Sequence, residues 1–231
     1  MKISMSVFST LGKKIFMGVT GLLLSGFIVI HLIGNLQLLL PDKDPFNIYA
    51  HILTQETGSI IYIAEFLLAA VFLIHFVYAI IVTWNNWQAR PEGYRKVKWA
   101  KNTSRRSIGS VTMIYTGVVI MVFLVWHLLH FKFGEVVYYT PAGYDHEIRD
   151  LYVIVYQFFG NIINVILYII VMALLGFHLS HGFWSAFQSL GLDGKRFTPF
   201  VYGLGVVFAI VMAVGFLFLP LFIFMTTGGT V

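Results

Sequence analysis

Between residues 15 and 40 the chain carries no charged side chain, and the run IFMGVTGLLLSGFIVIHLIGNLQLLL is long enough to cross bilayer hydrocarbon as a helix. Runs of this kind recur. Reading between charges and helix breakers places five apolar segments at 15–40, 59–86, 107–131, 151–187 and 199–225, the second interrupted only by Glu65. In lipid every backbone N–H and C=O must be satisfied within its own segment, so such runs fold as helices. The short alternating segments of a β-barrel are missing from the sequence. With 58% hydrophobic and 11% charged residues and a mean hydropathy of +0.84, the chain has more apolar surface than a soluble domain hides. The expected fold is an all-α integral membrane protein, a single domain over 1–231 with five transmembrane helices. The first segment is too long for a cleaved signal peptide and lacks a small-residue cleavage site after it.

Basic residues set the expected orientation. Lys2, Lys13 and Lys14 precede the first span, and Lys195 and Arg196 lie between the fourth and fifth. Arg90, Arg95, Lys96, Lys98, Lys101, Arg105 and Arg106 lie between the second and third. The opposite side holds Lys43, Lys132 and Arg149 among Asp42, Asp44, Glu56, Glu135, Asp145, Glu147 and Asp150. The positive-inside rule then puts the N-terminus in the cytoplasm and the C-terminus outside, in the cell's inner (cytoplasmic) membrane. Trp84, Trp87 and Trp99 flank the large cytoplasmic loop as an interfacial aromatic belt would. The net charge of +5 fits this orientation and the docking of an acidic partner, and not a nucleic-acid surface. With no cysteine, the chain itself makes no disulfide, no cysteine-ligated iron–sulfur cluster and no covalent c-type haem.

Within this lipid-suited sequence, His31, His75, His127 and His178 each sit deep in a different span. An ionisable residue inside a membrane normally faces the bundle interior and serves a function. At 1.5 Å per residue from the cytoplasmic edge, His31 lies roughly 26 Å deep and His127 roughly 30 Å. On the same scale His75 lies roughly 13 Å deep and His178 roughly 10–13 Å. The four sort into an outer layer, His31 with His127, and an inner layer, His75 with His178. A weak internal repeat agrees: 17–32 (MGVTGLLLSGFIVIHL) and 113–128 (MIYTGVVIMVFLVWHL) share Met, Thr, Gly, Phe, Val, His and Leu at a constant offset, aligning His31 with His127.

Two layers of paired histidines between helices are what two bis-histidine haems need, four helices forming the haem-binding bundle. Ala79 and Gly182, four residues after the inner histidines, and Gly21 and Gly117 on the outward helices give room for a flat macrocycle. Zinc or copper suits the pattern less, because each layer offers two histidines and no Cys or carboxylate cluster. His130 is read as a surface or quinone-pocket residue and His181 as a neighbour of the true ligand, each with ligation as its alternative. His51 and His146 fall in outer loops and are expected to be solvated, His51 with proton exchange as its alternative.

The segments TGLLLSGFIVIHLIGNLQL, LIHFVYAI, VWHLLHFKFG and GFHLSHGFWSAFQSLGL resemble the cytochrome b membrane anchor of succinate dehydrogenase/fumarate reductase. The resemblance is to the single-polypeptide, five-helix, di-haem type and covers almost the whole chain. It implies two haem b groups: a distal one on His31 and His127, and a proximal one on His75 and His178. It implies an iron–sulfur subunit and an FAD-carrying flavoprotein subunit docked on the cytoplasmic face. It also implies electron exchange with a membrane quinone, expected to be menaquinone; a higher oligomer of that complex is compatible with the sequence. Some di-haem fumarate reductases carry a glutamate two residues before the ligand on the fourth helix; this chain has Gly176. Glu65, the one acid inside a span, lies about 15 Å outward of His75 and is a candidate for proton exchange with the quinone. Its structural alternative is a carboxylate paired with water or a basic side chain. Lys13, Lys14, Arg105, Arg106 and Ser107 are placed to hold proximal propionates. The competing function is a haem-free transporter or proton-conducting bundle that uses these histidines and Glu65.

Overall fold

A computed structural model describes residues 9–89 and 108–229. The basic run 90–107, with Trp99 and the propionate candidates Arg105, Arg106 and Ser107, lies outside the described residues, as does Lys2.

Ser9 starts the first helix by accepting Gly12 N–H at 3.0 Å, as a serine N-cap does. Helix α1 (Thr10–Asn35) then runs into a 3₁₀ turn over Leu36–Leu39. Helix α2 (Asp44–His51) opens with Pro45, whose missing N–H costs nothing in a first turn. A π turn over Ile52–Glu56 follows, and Gly58, at φ 59° and ψ −139°, takes a backbone conformation reserved for glycine before α3 (Ser59–Gln88). Helix α4 (Ile108–Phe131) leads to a small antiparallel pair, β1 (Tyr138–Tyr139) on β2 (Ile148–Arg149), with Tyr139 opposite Ile148.

The fourth sequence span is not one helix. It breaks at Asn161, whose φ −89° and ψ 118° are extended, into α5 (Leu151–Gly160) and α6 (Ile162–Ser189). Asn161 caps α6 by accepting Ile163 N–H at 2.9 Å, and Asn164 donates to the freed Phe158 carbonyl at 2.8 Å. Hydropathy hides such a break, because Gly160 and Asn161 interrupt the apolar run too briefly to split it. Helix α7 (Phe197–Thr227) starts two residues before the expected Pro199 and ends at Gly228, which is left-handed at φ 63°.

Five of these helices, with α1 counted together with its 3₁₀ extension, are long and apolar enough to cross a membrane. The chain is a multi-pass membrane protein. Helix α6 is central, touching α1, α4 and α7, while α3 packs on α1 and has no fully buried residue. Helix α7 lies along α6, where Gly176 permits close approach: a Cβ there would sit 2.8 Å from Ala213 Cβ. The buried apolar core, which includes Leu38, Val165, Ala209 and Ile223, runs between α6, α7, α1 with its 3₁₀ extension, and α5. Exposed side chains such as Ile60, Phe66, Val207 and Ile210 present an apolar surface suited to lipid.

One end of the bundle, here the cap, carries α2, the β pair and α5. Asp150, 2% exposed, ties it together by accepting Lys43 Nζ at 2.5 Å, Asn47 Nδ2 at 2.8 Å and Val153 N–H at 3.2 Å. Asn47, fully buried, accepts Tyr152 N–H at 2.9 Å in return. Tyr139 donates to Asp44 at 2.8 Å, and burial pushes its phenol above the ordinary tyrosine range, so it stays a donor.

Candidate functional site

The four deep histidines form two facing pairs. His31 on α1 and His127 on α4 have ring centres 5.9 Å apart at an interplanar angle of 82°. His75 on α3 and His178 on α6 have ring centres 6.5 Å apart at 67°. Their depths match by helix count. His31 and His127 each lie four residues before the end of their helix, and His75 and His178 each lie 16 residues after the start of theirs. At 1.5 Å per residue the layers sit roughly 6 Å and 24 Å below the cap end. The layering expected from the sequence is therefore present, and the pairing follows it.

The spacing can be tested against a metal ion between the rings. An imidazole nitrogen bonds a transition metal at ~2.0–2.1 Å, so two imidazoles in line across one ion have centres about 6.3 Å apart. The observed 5.9 and 6.5 Å bracket that value. All four histidines keep a minor part of their surface exposed. Among the described residues no cluster of three or more His, Cys, Asp or Glu side chains could hold a metal ion by itself. Two axial imidazoles without further protein donors fit an ion whose remaining positions are filled by a planar macrocycle.

The inner rings are fixed from behind. His75 Nδ1 lies 3.0 Å from Thr20 Oγ1 on α1, and His178 Nδ1 lies 3.1 Å from Thr116 Oγ1 on α4. A Cβ built on Gly21 would stand 3.4 Å from His75 Cε1, and one on Gly117 would stand 3.6 Å from His178 Cε1. Thus the Nδ1–Cε1 edge of each inner ring lies along a Thr-Gly step, of α1 for His75 and of α4 for His178. In the outer layer, His127 Nδ1 meets the Tyr168 hydroxyl at 3.1 Å. Phe27 stacks on His31 at 5.3 Å, and Phe123 lies at 5.6 Å from His127.

Thr20, Thr116 and Tyr168 do not follow from the histidine pattern of the sequence. The two threonines were visible in the internal repeat, since Thr20-Gly21 and Thr116-Gly117 coincide at the same offset as His31 and His127. Tyr168 carries no such signal.

The remaining residues fall outside the pairs. Glu65 forms an ion pair with Lys132, joining α3 to the end of α4, and this is the arrangement of its structural alternative. His130 is exposed, with Nδ1 2.9 Å from the Trp126 carbonyl, and His181 packs its ring on Trp184 at 5.3 Å. His51 is less solvated than expected: its side chain is 14% exposed, its ring lies 5.5 Å from the His146 ring at a tilt of 46°, and it is 3.7 Å from Glu56. Gly182 lies nearest Met113, not beside a histidine ring. The chain matches no family model, no curated protein and no solved structure.

Proposed function

We propose that the chain is a di-haem cytochrome b membrane anchor that passes electrons between cytoplasmic redox subunits and a membrane quinone. The observation that carries this reading is the pair of facing histidine couples, each bridging two helices at a metal-compatible spacing. His31 and His127 would hold the outer haem, and His75 and His178 the inner one. A haem bound in each layer supplies a one-electron carrier, so two layers make a relay along the membrane normal.

The chain's own residues do the rest. Thr20, Thr116 and Tyr168 orient imidazoles through Nδ1, and the apolar helix faces keep bulk water from the rings. The layers lie about 16 Å apart along α1, from the 11 residues between Thr20 and His31. Lys13, Lys14, Lys195 and Arg196 put positive charge at the end opposite the cap, which supports a cytoplasmic location for that end. There an iron–sulfur subunit and an FAD flavoprotein subunit would dock, and a cysteine-free anchor would depend on them for clusters. The succinate/fumarate chemistry would belong to those partners, while the quinone, expected to be menaquinone, would react in this chain. Glu65 serves a proton relay in this scheme only if its pair with Lys132 opens during turnover.

The test is a reduced-minus-oxidised spectrum with haem quantification on the purified protein. Two b-type haems per chain are expected; a preparation without haem overturns the reading and leaves the proton-conducting bundle.

A further inference from the structure

The inner histidines are held at the same ring nitrogen by the same kind of group. Thr20 donates its hydroxyl hydrogen to the Phe16 carbonyl at 2.6 Å, with the Met17 carbonyl at 3.3 Å. Thr116 does likewise toward the Thr112 and Met113 carbonyls, both at 3.1 Å. A hydroxyl has one hydrogen and two acceptor lone pairs. Placing that hydrogen on the helix carbonyls leaves each Oγ1 to face its histidine as an acceptor, which puts the ring proton on Nδ1. Nε2 then keeps the free lone pair on both rings. The threonines are 5% and 6% exposed, so water does not compete for these bonds.

We propose that Thr20 and Thr116 are positioning residues of the inner site. Each fixes its histidine as the Nδ1–H tautomer and so presents Nε2 as the ligand atom. The proposal rests on the haem reading above and deepens it, by assigning the tautomer and the ligand atom of each inner histidine. A hydrogen bond from the far nitrogen of a ligating imidazole also raises the ligand's basicity, which favours the oxidised metal. The outer layer is built differently: His127 meets a tyrosine, and among the described residues no hydrogen bond reaches the His31 ring. Helices α1 and α4 thus each carry two functions at a fixed spacing of 11 residues, a threonine that holds the inner ligand and a histidine of the outer pair. That double duty accounts for the repeat, which is otherwise unexplained.

The experiment compares full-length Thr20→Val and Thr116→Val with Thr20→Ser and Thr116→Ser by redox titration of the haem absorbance. Valine keeps the shape and removes the acceptor; serine keeps the acceptor. In the valine variants the inner component should become easier to reduce, its oxidised-to-reduced ratio at fixed potential falling about tenfold, which is ~59 mV for one electron. The serine variants should titrate like the wild type, and the outer component should not move. Loss of the inner haem in the valine variants with retention in the serine variants supports the same role. Unchanged potentials with full haem content in the valine variants overturn it, as does a serine variant that fails like valine. A wild-type protein without haem overturns the haem reading instead. The tautomer claim is then read from the imidazole ¹⁵N shifts of His75 and His178 in the haem-free protein, where Nδ1–H sustains it and Nε2–H sinks it.

Discussion

A histidine in lipid gains its meaning here from the atom behind it. His75 and His178 have threonine hydroxyl partners at Nδ1 on a neighbouring helix, which distinguishes them from His130, whose Nδ1 faces its own helix's carbonyl. The same residue-level logic applies at the cap. Asp150 is buried and accepts from Lys43 and Asn47, so its loss leaves an amide and an ammonium without their acceptor. Asp150→Ala should lower stability by about 2–3 kcal/mol, the usual cost of breaking a buried pair discounted for the part-exposed Lys43. Asp150→Asn should cost less, since it keeps one acceptor. Thermal unfolding in detergent checks both; equal stability of Asp150→Ala and wild type would show that the cap is held by something else.

At the scale of the helices, close approach decides what a position accepts. Gly176 faces Ala213 on α7, so Gly176→Ala places two Cβ atoms 2.8 Å apart and forces α6 and α7 to separate. We expect about 1–3 kcal/mol of destabilisation, read as a lowered apparent Tm, with the haem spectrum unchanged because no ligand touches this contact. A glutamate there would press on α7 as well, so this fold has no room for the acid that some di-haem fumarate reductases carry. Helix existence and depth were legible in the sequence because lipid imposes a long apolar run and a fixed rise per residue. His31, His75, His127 and His178 sorted correctly into layers for that reason. The break at Asn161 was not legible, since a side-chain cap and not hydropathy makes it, nor was the short helix α2, whose start is marked only by Pro45. Nor was the Glu65–Lys132 pair, which joins residues 67 positions apart.

For the whole molecule, orientation and haem content are the two parts of the proposal that experiment decides. The chain has no cysteine, so single cysteines report topology without background. Gly143→Cys in the loop between β1 and β2 should react with a membrane-impermeant maleimide from outside intact cells, and Lys195→Cys only after lysis. The reverse pattern would invert the orientation and move the redox partners to the cap. The pairing of ligands is tested most directly by haem spectra of His31→Ala, His127→Ala, His75→Ala and His178→Ala. His31→Ala and His127→Ala should remove one and the same spectral component, and His75→Ala and His178→Ala the other. Loss of a single shared component in His31→Ala and His75→Ala would contradict two facing pairs.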